Sequence, residues 1–397
     1  MGLKEIEDLG FSYRVVDSKV YIGMQLNDEK NIVIDKYYSY KGRTVSTIVD
    51  RTIKFRDNVK TIKINAKSGA NCFYMFYGLK ELESVDLIGY DTNSCTDMSF
   101  MFTHCRSLRA VIMPTDISKV EDMSGMFMFC EKLEEISLHT CPINIRLTAS
   151  MFKGCERLKF VNLGFKNRFA YPQDITSMFD GCKDLIQIDI SWLRFDNCLS
   201  LKGLFKDCTN LISIKLPTGN GLKVISTEEM FANCCSLEEV KINCIKGDNV
   251  LTTNSMFKGC CSLKIVDLSR CHFKNIQDAG YMFLRCSSLV DIRFNKAVKL
   301  NPKTVLGMFA KCESLENLNL SMLYCECDAS FGMMFYYCIK LKTLNLKQLN
   351  VKTGIGLSSM FSGCDKLEEV KITRKKWNID NKKLIDVFGN KIKLKTK

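Results

Sequence analysis

The sequence predicts an α/β solenoid, a stack of like coils rather than one compact core. The dipeptide Met-Phe recurs at 75, 101, 126, 151, 178, 230, 256, 282, 308, 334 and 360, and Leu204-Phe205 fills the one gap. The steps are 26, 25, 25 and 27 residues, then 26 seven times. Inside each step the apolar period switches from helix-like to strand-like. Self-similarity at a fixed period is the signature of a repeat array. An array also accommodates 397 residues without dividing, because each unit contacts only its neighbours.

The first part of a coil reads as a short helix. Met98, Met101, Phe102 and Cys105 have i, i+3, i+4, i+7 spacing, one face of a helical turn or two. The second part reads as a strand. Leu158, Val161 and Leu163 follow L-x-x-L-x-L, and the last two alternate as a strand does with one buried face. One short helix, a turn, one strand and a return loop complete a coil, and the strands stack into a parallel sheet at ~4.8 Å spacing.

Eleven of the twelve full copies carry Cys four residues after the Met position, from Cys105 to Cys364, and the first carries Leu79. All twelve carry Leu at the seventh place. Recurring once per coil, the Met, Phe and Cys columns pack like against like inside the stack. A redox or metal array is the alternative. It would want tight local pairs, yet the 21 Cys include no C-x-x-C and one C-x-C, Cys325/Cys327. The cysteines are therefore expected as buried thiols.

The ends differ from the middle, since a terminal coil would otherwise expose its core. Tyr13–Val16, Val20–Ile22 and Asn31–Asp35 are β-like runs, and Tyr40-Lys41-Gly42-Arg43 reads as a turn before Thr44–Ile48. Val59–Ile64 copies the repeat strand without its Met-Phe partner. Near the C-terminus Leu384–Phe388 keeps a helical face that stops at Gly389. The expected division is a β-rich N-terminal cap with a lead-in half repeat over 1–64, a twelve-coil array over 65–373, and a basic cap and tail over 374–397.

The unit Asp122-Met123-Ser124-Gly125-Met126-Phe127-Met128-Phe129-Cys130-Glu131-Lys132-Leu133-Glu134-Glu135-Ile136-Ser137-Leu138 resembles the bacterial-surface-protein repeat, the BspA-like class of leucine-rich repeats. The likeness covers about residues 31–390. It implies a leucine-rich-repeat solenoid that binds partner proteins, in a family of surface or secreted proteins. The opening residues, Met1 to Asp8, hold acids and no apolar run, unlike a secretory signal. A cytoplasmic location is expected as the sequence stands, and a surface or secreted one if a leader has been removed.

Chemistry is sparse. His104, His139 and His272 come from separate coils without metal-ligand spacing, and no phosphate-binding or nucleophile motif occurs. No enzyme activity, cofactor or metal is expected. No window is apolar for long enough to span a membrane as a helix.

The strand face is more informative. Between the two buried strand positions lies an outward column that includes Asp86, Ile112, Asn162, Asp189, Lys215, Lys241, Asp267 and Arg293. Asp189/Lys215 and Lys241/Asp267/Arg293 set opposite charges on neighbouring coils, as a charge ladder or as a polar strip facing a ligand. Two places earlier lies a second outward column, containing Phe160, with Ile186 and Ile212 one place before it. Ile112, Phe160, Ile186 and Ile212 are the candidate contacts for a partner protein.

The net charge of +13 is uneven: Arg374–Lys397 holds nine basic and two acidic residues. This end serves as a polar cap, contacts an acidic protein, or binds nucleic acid or anionic lipid. The leading expectation is a non-catalytic scaffold that binds a protein through its strand face. The alternative is an electrostatic binder of nucleic acid or anionic membrane through the basic C-terminal end.

Overall fold

The structure, a computed structural model, describes residues 4–41, 43–138, 142–164, 170–219, 221–325, 330–351, 357, 359–388 and 393–396. Gly42, His139, Cys327, Gly389, Lys391, Ile392 and Lys397 lie outside the described residues. In chain order the strands begin with β1 (Phe11–Val16), β2 (Lys19–Gln25), β3 (Asn31–Ile34), β4 (Tyr37–Tyr40), β5 (Arg43–Val49), β6 (Thr61–Ile64) and β7 (Lys67–Ser68). One short strand per coil follows: β8 (Ser84–Asp86), β9 (Ala110–Ile112), β10 (Glu135–Ser137), β11 (Phe160–Asn162), β12 (Gln187–Asp189), β13 (Ser213–Lys215), β14 (Glu239–Lys241), β15 (Ile265–Leu268), β16 (Asp291–Phe294), β17 (Asn317–Asn319), β18 (Thr343–Asn345) and β19 (Glu369–Ile372). A helix, α1 (Asn381–Phe388), and β20 (Lys393–Thr396) complete the chain.

The chain forms two compact units, Met1–Ile188 and Asp189–Lys397. The first opens with a mixed sheet in the order β1-β2-β5-β4, with β7 pairing β5. Asp17 and Ser18, both at positive φ, make the tight turn between antiparallel β1 and β2. Next comes the parallel sheet β3-β6-β8-β9, with Asn31, Thr61, Ser84 and Ala110 in register. The coil sheet thus starts at β3, which needs no Met-Phe segment. In the second unit β14-β15-β16 and β17-β18-β19-β20 are parallel ladders. The lysine-rich end is their last strand, with Leu394 opposite Val370.

The expected short helix in each coil does not form; α1 is the one α-helix among the described residues. Each Met-Phe segment is instead two consecutive β-turns. In one coil Met126 N donates to Met123 O at 3.2 Å, and Cys130 N to Phe127 O at 3.0 Å. The third residues of these turns, Gly125 and Phe129, have φ of 58° and 59°. All twelve coils repeat the pattern, with positive φ one place before and three places after the Met position. Left-handed residues every four positions preclude an α-helix. The ladder between coils takes up the remaining amides: Tyr74, Phe76 and Gly78 donate to the carbonyls of Ser99, Met101 and Thr103 at 3.1, 2.9 and 2.8 Å. The helical signature has a simple origin. Met123, Met126, Phe127 and Cys130 are the first and last residues of two four-residue turns, so turn corners reproduce i, i+3, i+4, i+7.

These corners build the core. Met101, Phe102, Cys105 and Leu108 are wholly buried, as are their equivalents in most coils. In the first unit Phe76, Phe102, Phe127, Phe152 and Phe179 stack with centroids 5.0, 5.3, 5.6 and 5.5 Å apart. Phe55, 5.5 Å from Phe76, covers the start of that column. In the second unit the column runs from Phe205 to Phe361, then meets Phe388 at 5.1 Å and, beyond it, Trp377 at 5.3 Å. The described cysteines are thiols, not disulfides. Cysteine has a specific reason to recur, since its Sγ–H donates to the Phe carbonyl of the preceding coil: Cys105 to Phe76 at 3.0 Å, Cys260 to Phe231 at 3.0 Å, Cys338 to Phe309 at 3.1 Å.

Candidate partner-binding faces

The three- or four-residue strand of each coil leaves residues pointing outward on both sides of an inward one. Ile112 ends β9, Phe160 begins β11, and Ile186 and Ile212 precede β12 and β13. All four are about half exposed, at 47%, 55%, 53% and 54%. In the first unit Phe160 pairs in register with Glu135, and Ile186 takes in the next coil the place held by Lys159. Phe160 and Ile186 therefore stand on successive coils. Ile112 stands apart, because the intervening coil presents Glu135 and Ser137. Ile212 lies in the second unit.

The surroundings of these residues are charged. The position eight residues after Met forms ion pairs between neighbouring coils: Lys159 with Glu134 at 2.9 Å in the first unit, Lys264 with Glu238 at 2.8 Å and Lys342 with Glu316 at 2.7 Å in the second. Hydrogen bonding from Lys159 holds the Glu134 carboxyl below its usual range. Ile186 and Ile212 interrupt this ladder. In the outward column between the buried positions, Lys215 pairs with Asp189 at 3.0 Å, whereas Arg293 turns to Asp291 at 2.9 Å. Burial raises the Asp189 carboxyl, but bonds from Ser191 and Lys215 outweigh it and hold it low. Exposed pairs of this kind contribute only ~0–1 kcal/mol each, so they set polarity rather than stability.

The strand face of the second unit also holds a hollow of about 370 Å³ lined by Asn317, Asn319, Thr343, Asn345 and Lys371 among others. Thr343 Oγ1 donates to Asn317 Oδ1 at 2.8 Å. Its lining mixes these amide and hydroxyl groups with charged Asp291 and Lys371 and apolar residues such as Val290.

A second face follows from the turns and is invisible to a helical reading. In the first unit Tyr74 stacks on Phe100 at 5.1 Å, and His104 on Phe129 at 4.9 Å. His104 is thus a half-buried member of an aromatic ridge. A Cβ on Gly125 would fall 2.5 Å from the Phe100 ring, and one on Gly154 2.5 Å from Phe129. Glycine in the next coil makes room for each ring. The second unit has its own hollow on this side, about 350 Å³, between Tyr281, Leu284, Met333 and Tyr336 with Lys258, Arg285 and Lys311 in its lining.

Among the described residues no three His, Cys, Asp or Glu converge as metal ligands would. No helix among them is long and apolar enough to cross a membrane.

A family model agrees with this architecture. Residues 201–327 and 305–395 match the family described as BspA type leucine-rich repeat region, in six copies. The chain belongs to the BspA-like leucine-rich-repeat family. In this BspA-like chain residues 25–141 and 70–192 also match a family described as Mycoplasma protein of unknown function, DUF285. A leucine-rich cell surface protein from Faecalibacterium prausnitzii is 16% identical over 93% of this chain and 95% of its own, with a TM-score of 0.47. The leucine-rich-repeat protein of T. pallidum is 18% identical over 59% of this chain and 91% of its own, with a TM-score of 0.35. One from Eubacterium ventriosum is 14% identical over 89% and 86%, with a TM-score of 0.32. No curated protein sequence matches the BspA-like chain.

Proposed function

We propose that this protein is a non-catalytic scaffold that holds a partner protein against the strand face of its first unit. The observation that carries the proposal is Phe160, an aromatic ring half exposed on a short strand, with Ile186 on the next coil. Burying a large aromatic ring contributes more to binding than any exposed ion pair around it. Glu134, Lys159 and Glu135 supply a polar rim, the usual setting of a protein–protein anchor. Ile112 adds a separate apolar contact on the same face.

The basic C-terminal end is partly engaged within the fold. Lys395 Nζ lies 2.6 Å from Glu369, and Lys376 Nζ donates to Gln348 at 2.9 Å. A test compares host proteins retained by immobilised wild type, Phe160→Ser, and the double charge variant Lys375→Gln/Lys382→Gln. Phe160→Ser is expected to keep the fold, since the ring lies outside the core, and to weaken a retained partner about fivefold or more, equivalent to ~1 kcal/mol. The charge variant is expected to change little. Silence of Phe160→Ser, with strong loss in the charge variant that worsens at low salt, would move the site to the basic end.

A further inference from the structure

The thiols fall into two populations. Those of the repeat column sit inside the coils, wholly buried except for the half-buried Cys364 of the last full coil. Cys72 and Cys95, with sulfurs 3.3 Å apart, are likewise wholly buried beside Tyr90. Cys235 and Cys261 differ. Each follows a column cysteine, on successive coils of the second unit, and turns outward: Cys261 is exposed and Cys235 half-buried. Cys235 Sγ lies 3.5 Å, and Cys261 Sγ 3.3 Å, from the same Gly259 carbonyl oxygen. Two sulfurs that close to one oxygen share one small patch of surface. The main chain holds their coils together there, with Ser262 N donating to Cys235 O at 3.1 Å. Neighbouring coils stack ~4.8 Å apart, inside the ~4.4–6.8 Å range of Cα separations that a disulfide spans.

We propose that Cys235 and Cys261 form a surface dithiol that small-molecule disulfides close into a disulfide between coils. The thiolate of the exposed Cys261 attacks one sulfur of a disulfide R–S–S–R, forms a mixed disulfide and releases one RS⁻. The Cys235 thiolate then attacks the Cys261 sulfur and releases the second RS⁻. The two protons leaving the cysteines go to the two released thiolates. The protein dithiol is thereby oxidised by two electrons, and one small disulfide is reduced to two thiols. Cys261 reacts first because it is exposed, whereas Cys235 is half-buried. Access decides the outcome over proximity, because a dissolved disulfide does not reach the closely spaced pair Cys72/Cys95. Closure fixes the coil of Met230 to the coil of Met256.

The test uses the full-length reduced protein and oxidised glutathione, followed by blocking with N-ethylmaleimide and peptide mapping without reductant. In wild type a linked Cys235–Cys261 peptide should appear before any other cross-link, with both thiols lost together. In Cys235→Ser a stable glutathione adduct should accumulate on Cys261. In Cys261→Ser no linked peptide should form, and modification of Cys235 should be at least about tenfold slower than closure in wild type. A lasting glutathione adduct on wild-type Cys261 without closure would overturn the proposal. So would a first cross-link at Cys72–Cys95.

Discussion

Phe231→Ala is expected to lower stability by ~3–5 kcal/mol, the range found when a buried aromatic ring is truncated. Phe231 is wholly buried and stacks between Phe205 and Phe257, with centroids 5.7 and 5.5 Å away. Both polar groups of its main chain are engaged with the following coil. The amide donates to Met256 O at 2.8 Å, and the carbonyl accepts the Cys260 thiol at 3.0 Å. Alanine keeps those backbone bonds and removes only the ring, so the loss reports packing. Because each coil contacts only its neighbours, unfolding should begin around this coil. Hydrogen exchange should quicken first in the amides between about Leu204 and Met282. Denaturant titration should show a lower midpoint, and an unchanged midpoint would mean that the column does not bear the core.

The repeat period, the buried columns and the parallel strand of each coil were legible because each leaves a periodic trace. The helix was misassigned for a physical reason. Consecutive four-residue turns place their corners at the spacings a 3.6-residue helix uses, and apolar periodicity alone does not separate them. A discriminating signal lay in the residues at the left-handed positions. Gly78, Gly125, Gly154 and Gly181 recur one place before or three places after the Met position, where a helix gains nothing from glycine. Phe100 and Phe129 hid the same pattern by occupying left-handed positions that aromatic residues rarely take. The outward columns followed from strand alternation, so the exposure of Phe160 was accessible from sequence; Ile186, one place before its column, is exposed because it precedes its strand. The aromatic ridge was not, since it depends on turn geometry. The lysine-rich end was read by its charge, although Lys393-Leu394-Lys395 alternates as a strand does and Leu394 pairs with Val370.

Raising the pH of the reduced protein from about 8 to about 11 is expected to unfold it steeply, and the cysteine column is the cause. Burial pushes the thiol of Cys105 up to about 12 and that of Cys364 up to about 11, and outside the column it lifts Cys244 to about 12. It drives Cys130, Cys234, Cys260, Cys286 and Cys312 in the same direction. In the unfolded chain a thiol ionises near ~8.5. Between those limits the folded state holds the proton and the unfolded state has lost it. The stabilisation is therefore complete below ~8.5 and declines as pH climbs toward the folded-state values. Each such thiol contributes a slope of ~1.4 kcal/mol per pH unit. One coil opening alone feels about one such slope, while an array opening as a whole feels several together. Above ~10 the buried Tyr38 and Tyr90, both raised by burial, act with the same sign. Denaturant midpoints measured with reductant at steps of pH would give the slope. Cys260→Ala should be less stable near neutral pH, because the Phe231 carbonyl loses its thiol donor and a small void opens. It should also show a slope shallower by about one proton. Stability that stayed flat between about pH 8.5 and 10 would mean the column thiols are reachable by solvent, and the packed interior assigned to them would fail with it.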